Sequence, residues 1–140
     1  MTTLPFPTVA RVHQPDDPAA RLVVFALRRM GAHGLADADA AHAYVTAFGK
    51  DFRRPLILTR TLLAEMSVHT RRSISIAPWC CSRMTAHEAT LLDVLALSPH
   101  DDGAAHWLMA DMLGVHQAHA PLATATALAI AFADLGLPLS

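Results

Sequence analysis

Between Ser73 and Ala77 the chain alternates serine and isoleucine with period two, and nowhere else is that strand-like rhythm so clear. Pro78 ends the run. Thr85-Ala-His-Glu88 then carries a helix-start signature, in which the threonine hydroxyl and the glutamate each satisfy a free backbone amide. One short strand cannot stand alone, because its N–H and C=O groups need partners. The flanking sequence has the spacing of short helices, so the partner has to come from elsewhere. Two sources are available: the Thr8–His13 segment, or the same strand of a second subunit across a two-fold axis.

The helices are legible from their ends. Asp16-Asp17-Pro18 opens the first, which is expected to run to about Met30 with Leu22, Val23, Ala26, Leu27 and Met30 inward and Gly31 and Gly34 as stops. Asp37 caps a second, with Ala41, Tyr44, Val45 and Phe48 on one face and Gly49 after it. Arg54-Pro55 opens a third with a Leu58, Leu62, Leu63, Met66 stripe, fading near Thr70. The fourth starts at the Thr85 box and buries Leu91, Leu92 and Leu95. A fifth runs from about Asp102 to Leu113, and the sixth from about Pro121 to Leu135, apolar nearly all round. The fold class that follows is all-α: a single compact domain of five to six short helices over residues 16–140, behind an extended arm at 1–15, with at most a minor strand near 73–77.

A chain of 140 residues with 53% hydrophobic and 16% charged residues is more apolar than most soluble domains. Covering that surface calls for a partner, and a homodimer is the simplest answer. The most apolar segment, Leu122–Leu135, is shorter than the ~20 residues a membrane helix needs. The first residues have no charged and apolar leader pattern, so a cytoplasmic location is expected. Net charge is −1, but all 11 basic residues lie at or before Arg83, against six acids, while six acids and no base follow it. Such halves can complement each other inside one chain, or the first can face an anionic partner.

Chemistry is concentrated at Cys80 and Cys81, the only cysteines. Adjacent cysteines fit the Cys-x-x-Cys spacing of zinc sites poorly. A thiolate just before a helix and beside Arg83 can be nucleophilic or redox-sensitive. The third reading makes them small buried hydrophobes beside Trp79 in a tight corner. His87 is the nearest helper for a metal or redox site; no cofactor is expected, zinc being the one such a loop could take. The nine histidines include His116-x-x-His119 and the Glu65/His69 pair at helical spacing, but no His-Glu-x-x-His. Arg28, Arg29, Arg53 and Arg54 form an anion-binding cluster if the first and third helices pack together; without interleaved aromatics or a helix-turn-helix, nucleic acid is not an expected partner. Nucleophile elbows, nucleotide-binding glycine loops and paired Glu-x-x-His motifs are absent, so no catalytic residue is assigned.

Three segments carry a resemblance. Phe25–Leu35, Phe52-Arg-Arg-Pro-Leu56 through Ala64-Glu-Met66, and Ala77-Pro-Trp-Cys-Cys through Met84-Thr together resemble a family of small, uncharacterised alphaproteobacterial helical proteins. The likeness covers roughly residues 20–97 and implies no activity. The leading expectation is a non-enzymatic, self-associating helical protein, with a metal-binding or thiol-redox protein as the alternative and an anion-binding regulatory module as a further one.

Overall fold

The first helix begins where an aspartate can reach back to a free amide: Asp17 accepts from the Ala20 N–H at 3.1 Å and Pro18 occupies the first turn. The computed structural model describes residues 2–3 and 12–140, with side chains from residue 13 onward. Among these residues the elements are β1 (Thr2–Thr3), β2 (Val12–His13), α1 (Pro18–His33), α2 (Ala38–Phe48), α3 (Arg53–His69), β3 (Ser75–Ile76), β4 (Arg83–Met84), α4 (Ala86–Leu97), α5 (Asp102–Leu113) and α6 (His119–Asp134), with a 3-10 turn at Gly49–Asp51. The all-α expectation stands, with six helices and only two-residue strands. Asp37 and Asp101 cap α2 and α5 through the Ala40 and Ala104 amides, and the capping box at Thr85 is complete.

The strand next to α4 finds its partners inside the chain. Ser75–Ile76 pairs in parallel with Thr2–Thr3, and Val12–His13 pairs antiparallel with Arg83–Met84. The last two residues of the Thr8–His13 segment, Val12 and His13, therefore do pair, but with the far side of the cysteine loop rather than with the Ser/Ile run; Thr8–Arg11 lie outside the described residues. The expected arm at 1–15 lies largely outside the described residues. The helix ends also differ in one place. Gly31 does not stop α1, which runs on to a C-cap at Gly34. Gly31 instead allows close approach, since a Cβ there would come within 2.9 Å of the Ile76 Cδ1 atom.

α3 and α6 pack side by side and antiparallel, joined at one end by Arg54 and Asp134 and further along by Glu65 and the Thr124 hydroxyl. One core collects Val23, Leu27 and Met30 of α1, Leu62, Leu63 and Met66 of α3, Leu91 and Leu95 of α4, Met109 and Leu113 of α5, and Leu128 and Phe132 of α6. α2 contributes Tyr44, which with Phe48 and Phe132 forms a set of edge-to-face rings at centroid distances of 5.0–6.0 Å. The Thr59 hydroxyl donates to the Pro55 carbonyl, so the Tyr44 hydroxyl donates to Thr59. Burial pushes the Tyr44 phenol well above its ordinary range. Val45, expected on the buried face, is 41% exposed, because α2 turns Ala40 and Tyr44 inward instead.

α5 ends on Gly114 in the left-handed conformation, with φ +69. A Cβ at that position would fall 2.7 Å from the Arg72 Nε atom. Gly114→Ala is expected to lower stability by about 1–2 kcal/mol through left-handed strain. Urea unfolding of the two proteins measures it; an unchanged midpoint would show that the α5 exit is not held in this conformation.

Candidate functional site

The capping box at the start of α4 does more than end a helix. Glu88 accepts from the Thr85 amide at 2.9 Å, and the Glu88 amide donates to the Thr85 hydroxyl oxygen at 3.1 Å. The same carboxylate receives the Arg28 guanidinium of α1, through Nε at 2.8 Å and Nη2 at 3.1 Å. Both side chains are buried, at 1% and 0% exposure. The remaining reach of Arg28 goes to the cysteine loop: Nη1 donates to the Cys81 carbonyl and Nη2 to the Arg83 carbonyl, each at 2.6 Å. Four of the five guanidinium hydrogens thus have acceptors. A buried ion pair of this kind survives because nearly all of its hydrogen-bonding capacity is used.

The loop is fastened from other sides too. Gln14 donates its side-chain amide to the Cys81 carbonyl at 2.8 Å and its backbone amide to the Ser82 carbonyl at 3.0 Å. The Cys81 amide closes a turn onto Pro78. On the strand side, the Thr85 hydroxyl donates to the Ser75 carbonyl, and the Ser75 amide donates to His87 Nδ1, each at 2.7 Å. His87 therefore carries no proton on Nδ1. What the clamp leaves outside is the tip: Trp79 is 62% exposed, Cys80 is exposed and Cys81 half-buried, both as free thiols.

The buried-corner reading of the cysteines is corrected by that exposure. The loop is a structural corner through its backbone carbonyls, while its side chains face outward. For a metal, Cys80 and Cys81 stand near one another in sequence and His87 has only Nε2 to offer. Among the described residues no group of three or more His, Cys, Asp and Glu side chains is placed to hold an ion. The arginines go to separate partners. Arg28 belongs to Glu88, Arg29 pairs with Asp37 at 3.2 Å and Asp39 at 2.7 Å, Arg54 pairs with Asp134 at 3.3 Å, and Arg53 lies over the Phe52 ring at 5.8 Å. The hydrogen bond from Arg29 holds the Asp37 carboxyl below its ordinary range despite partial desolvation.

Two arrangements escape sequence spacing. Gln14 carries no motif that would mark it as a loop anchor. Of the His116/His119 pair, three apart, His119 stacks on His106 at 4.6 Å between ring centroids. His106 Nε2 in turn accepts the Ala118 amide at 3.1 Å, standing in for the missing side-chain cap of α6. Glu65, at helical spacing from His69, receives the Thr124 hydroxyl.

The chain belongs to a family of unknown function, DUF6628, whose model matches residues 1–137. No curated protein and no solved structure matches it.

Removing one partner of the buried pair strands the other. Arg28→Met and Glu88→Leu are each expected to cost about 3–5 kcal/mol, and the double variant to recover part of that loss. Denaturant unfolding tests the energies. Arg28→Met should also quicken Cys81 alkylation under native conditions, and a rate equal to wild type would mean that Arg28 does not hold the loop.

Proposed function

We propose that this member of the family of unknown function is a non-enzymatic helical protein that works as a homodimer, joined through the outer face of α3 and α6. The observation that carries the reading is exposed aliphatic surface on one side of that helix pair. Ile57 and Val68 are 57% and 80% exposed and fall on one stripe of α3, with Thr61 between them, while Ile130 on α6 is 42% exposed. Ala123, Ala127 and Ala133 keep the α6 side of the face low, so a second helix pair can approach closely. Two helices side by side present a face ~25 Å long and ~20 Å wide. A two-fold axis through it would lay the same residues against each other. The apolar composition supports the same conclusion, since self-association removes surface that polar groups do not cover.

A thiol role is the second reading, and the exposed Cys80 on a clamped loop favours it. Two free, neighbouring thiols suit a reducing compartment such as the cytoplasm. For location the structure offers one plain fact: among the described residues, no helix is long and apolar enough to cross a membrane.

Light scattering on the eluting protein is expected to give twice the chain mass of 15.0 kDa. Ile57→Asp should elute at the single-chain mass with an unchanged helical circular dichroism signal, because Ile57 touches no core. A wild-type monomer at high concentration would overturn the dimer. Alkylation of folded protein that goes no faster at Cys80 than in a free model thiol would remove the thiol reading.

A further inference from the structure

Four of the nine histidines meet where α3 ends, α5 ends and α6 begins. His69 closes α3, His116 lies in the α5–α6 connection, and His106 and His119 form the stacked pair. Two cavities open there and share the wall made by Val115 and His116. One holds about 600 Å³ and is lined by His69, Thr70, Arg71 and Gln117; the other holds about 420 Å³ and is lined by His106, Trp107 and Asp111. Both sizes fall within the range of small-molecule pockets.

The walls are fixed by backbone. The Arg71 amide donates to the Leu113 carbonyl at 2.8 Å, tying the exit of α3 to the end of α5. The Thr70 hydroxyl donates to the Arg72 carbonyl at 2.7 Å, the Val115 amide closes onto Ala110 at 3.0 Å, and His106 holds the Ala118 amide. Into this frame the chain puts two groups with nothing to do in the fold. Arg71 is exposed and forms no ion pair among the described residues. Trp107 is 66% exposed, an unusual position for the largest apolar side chain.

We propose that these two adjoining cavities together bind one small aromatic oxyanion, a flat ring carrying a phosphate or a carboxylate, which reaches across the His116 side chain they share. The charge balance assigns its orientation. The C-termini of α3 and α5 each bring about half a unit of negative charge to this junction and the N-terminus of α6 about half a unit of positive charge, so part of the guanidinium charge of Arg71 stays uncompensated. The planar guanidinium fork matches a carboxylate or phosphate edge, and Thr70, Gln117 and the two imidazoles of the first cavity add polar contacts. Asp111 would repel an oxyanion in the second cavity, which leaves that space for the ring, against the indole of Trp107. Val68 carries the apolar α3 face to the rim of the first cavity, but the cleft itself belongs to a single chain.

Phenyl phosphate and benzoate serve as the probes, with inorganic phosphate as the anion alone and benzyl alcohol as the ring alone. In the Trp79→Phe protein Trp107 is the single tryptophan, and its fluorescence should be quenched saturably by one or both aromatic anions. Whichever of the two binds more tightly identifies the anionic group. Arg71→Gln keeps the backbone anchor and should weaken that binding about tenfold or more, the scale of one charge-assisted contact. Arg21→Gln, on α1, should leave it unchanged. By calorimetry, Trp107→Leu should weaken the aromatic anions but not inorganic phosphate. The proposal falls if neither aromatic anion quenches saturably, if benzyl alcohol binds as well as they do, or if Arg71→Gln with a wild-type melting profile binds with unchanged affinity.

Discussion

The Arg28–Glu88 contact joins three parts of the molecule that share no sequence neighbourhood. Arg28 comes from the middle of α1, Glu88 from the first turn of α4, and the two carbonyls it also holds belong to the loop between β3 and β4. Burying two opposite charges is costly unless geometry repays the lost hydration. Here the repayment comes from a near-complete set of acceptors around the guanidinium and from the Thr85 amide on the carboxylate. The contact therefore acts as a positional device more than as a source of net stability. It sets the depth at which α1 lies against α4 and leaves the loop one path between them.

That path explains why the strands exist at all. Two residues of ladder on each side of the loop are too few to be stable alone. They persist because β3 is held through its own backbone by Thr85 and His87, and because Gln14 reaches across to the Cys81 and Ser82 carbonyls. Gly31 completes the arrangement by letting α1 lie against Ile76, which is fully buried. The Ser/Ile alternation is thus the sequence of a strand with one isoleucine face in the core. Ser75, between the two isoleucines, supplies its backbone amide and carbonyl to His87 and Thr85 at the start of α4.

Sequence reading succeeded where structure is decided locally. Asp17, Asp37 and Thr85 were recognisable as caps because a cap needs only a short polar side chain and an amide two or three residues on. The Leu62, Leu63, Met66 stripe of α3 was legible because burial follows the helical period. It fell short where the deciding partner is distant. Arg28 and Glu88 are 60 residues apart, and Arg28 looked like half of a surface arginine pair while Glu88 already had a sufficient role in its box. Gly31 looked like a stop because glycine usually is one, yet here its missing Cβ serves packing against a strand 45 positions later. The exposure of Cys80 was hidden for a related reason. Free cysteines are usually buried, and only the carbonyl clamp turns these side chains outward. His106 and His119 lie on different helices, so no spacing within one helix could pair them.

The division of charge along the chain has a physical resolution in the fold. Of the four ion pairs among the described residues, two, Arg28–Glu88 and Arg54–Asp134, join the basic first part to the acidic remainder, one buried and one at the surface. Arg29 is neutralised inside its own half by Asp37 and Asp39. The compensation is not uniform, however. Arg71 and Arg72 sit together after α3 without an ion pair among the described residues, beside an α5 whose exposed acids are Asp102 in its first turn and Asp111 in its last. Asp111 is the one nearby carboxylate, and it lines the neighbouring cavity rather than the one at Arg71. The helix C-terminus beside Arg71 favours a cation there. The fold thus pairs Arg28, Arg29 and Arg54 with carboxylates and sets Arg71 against the carbonyl end of a helix instead.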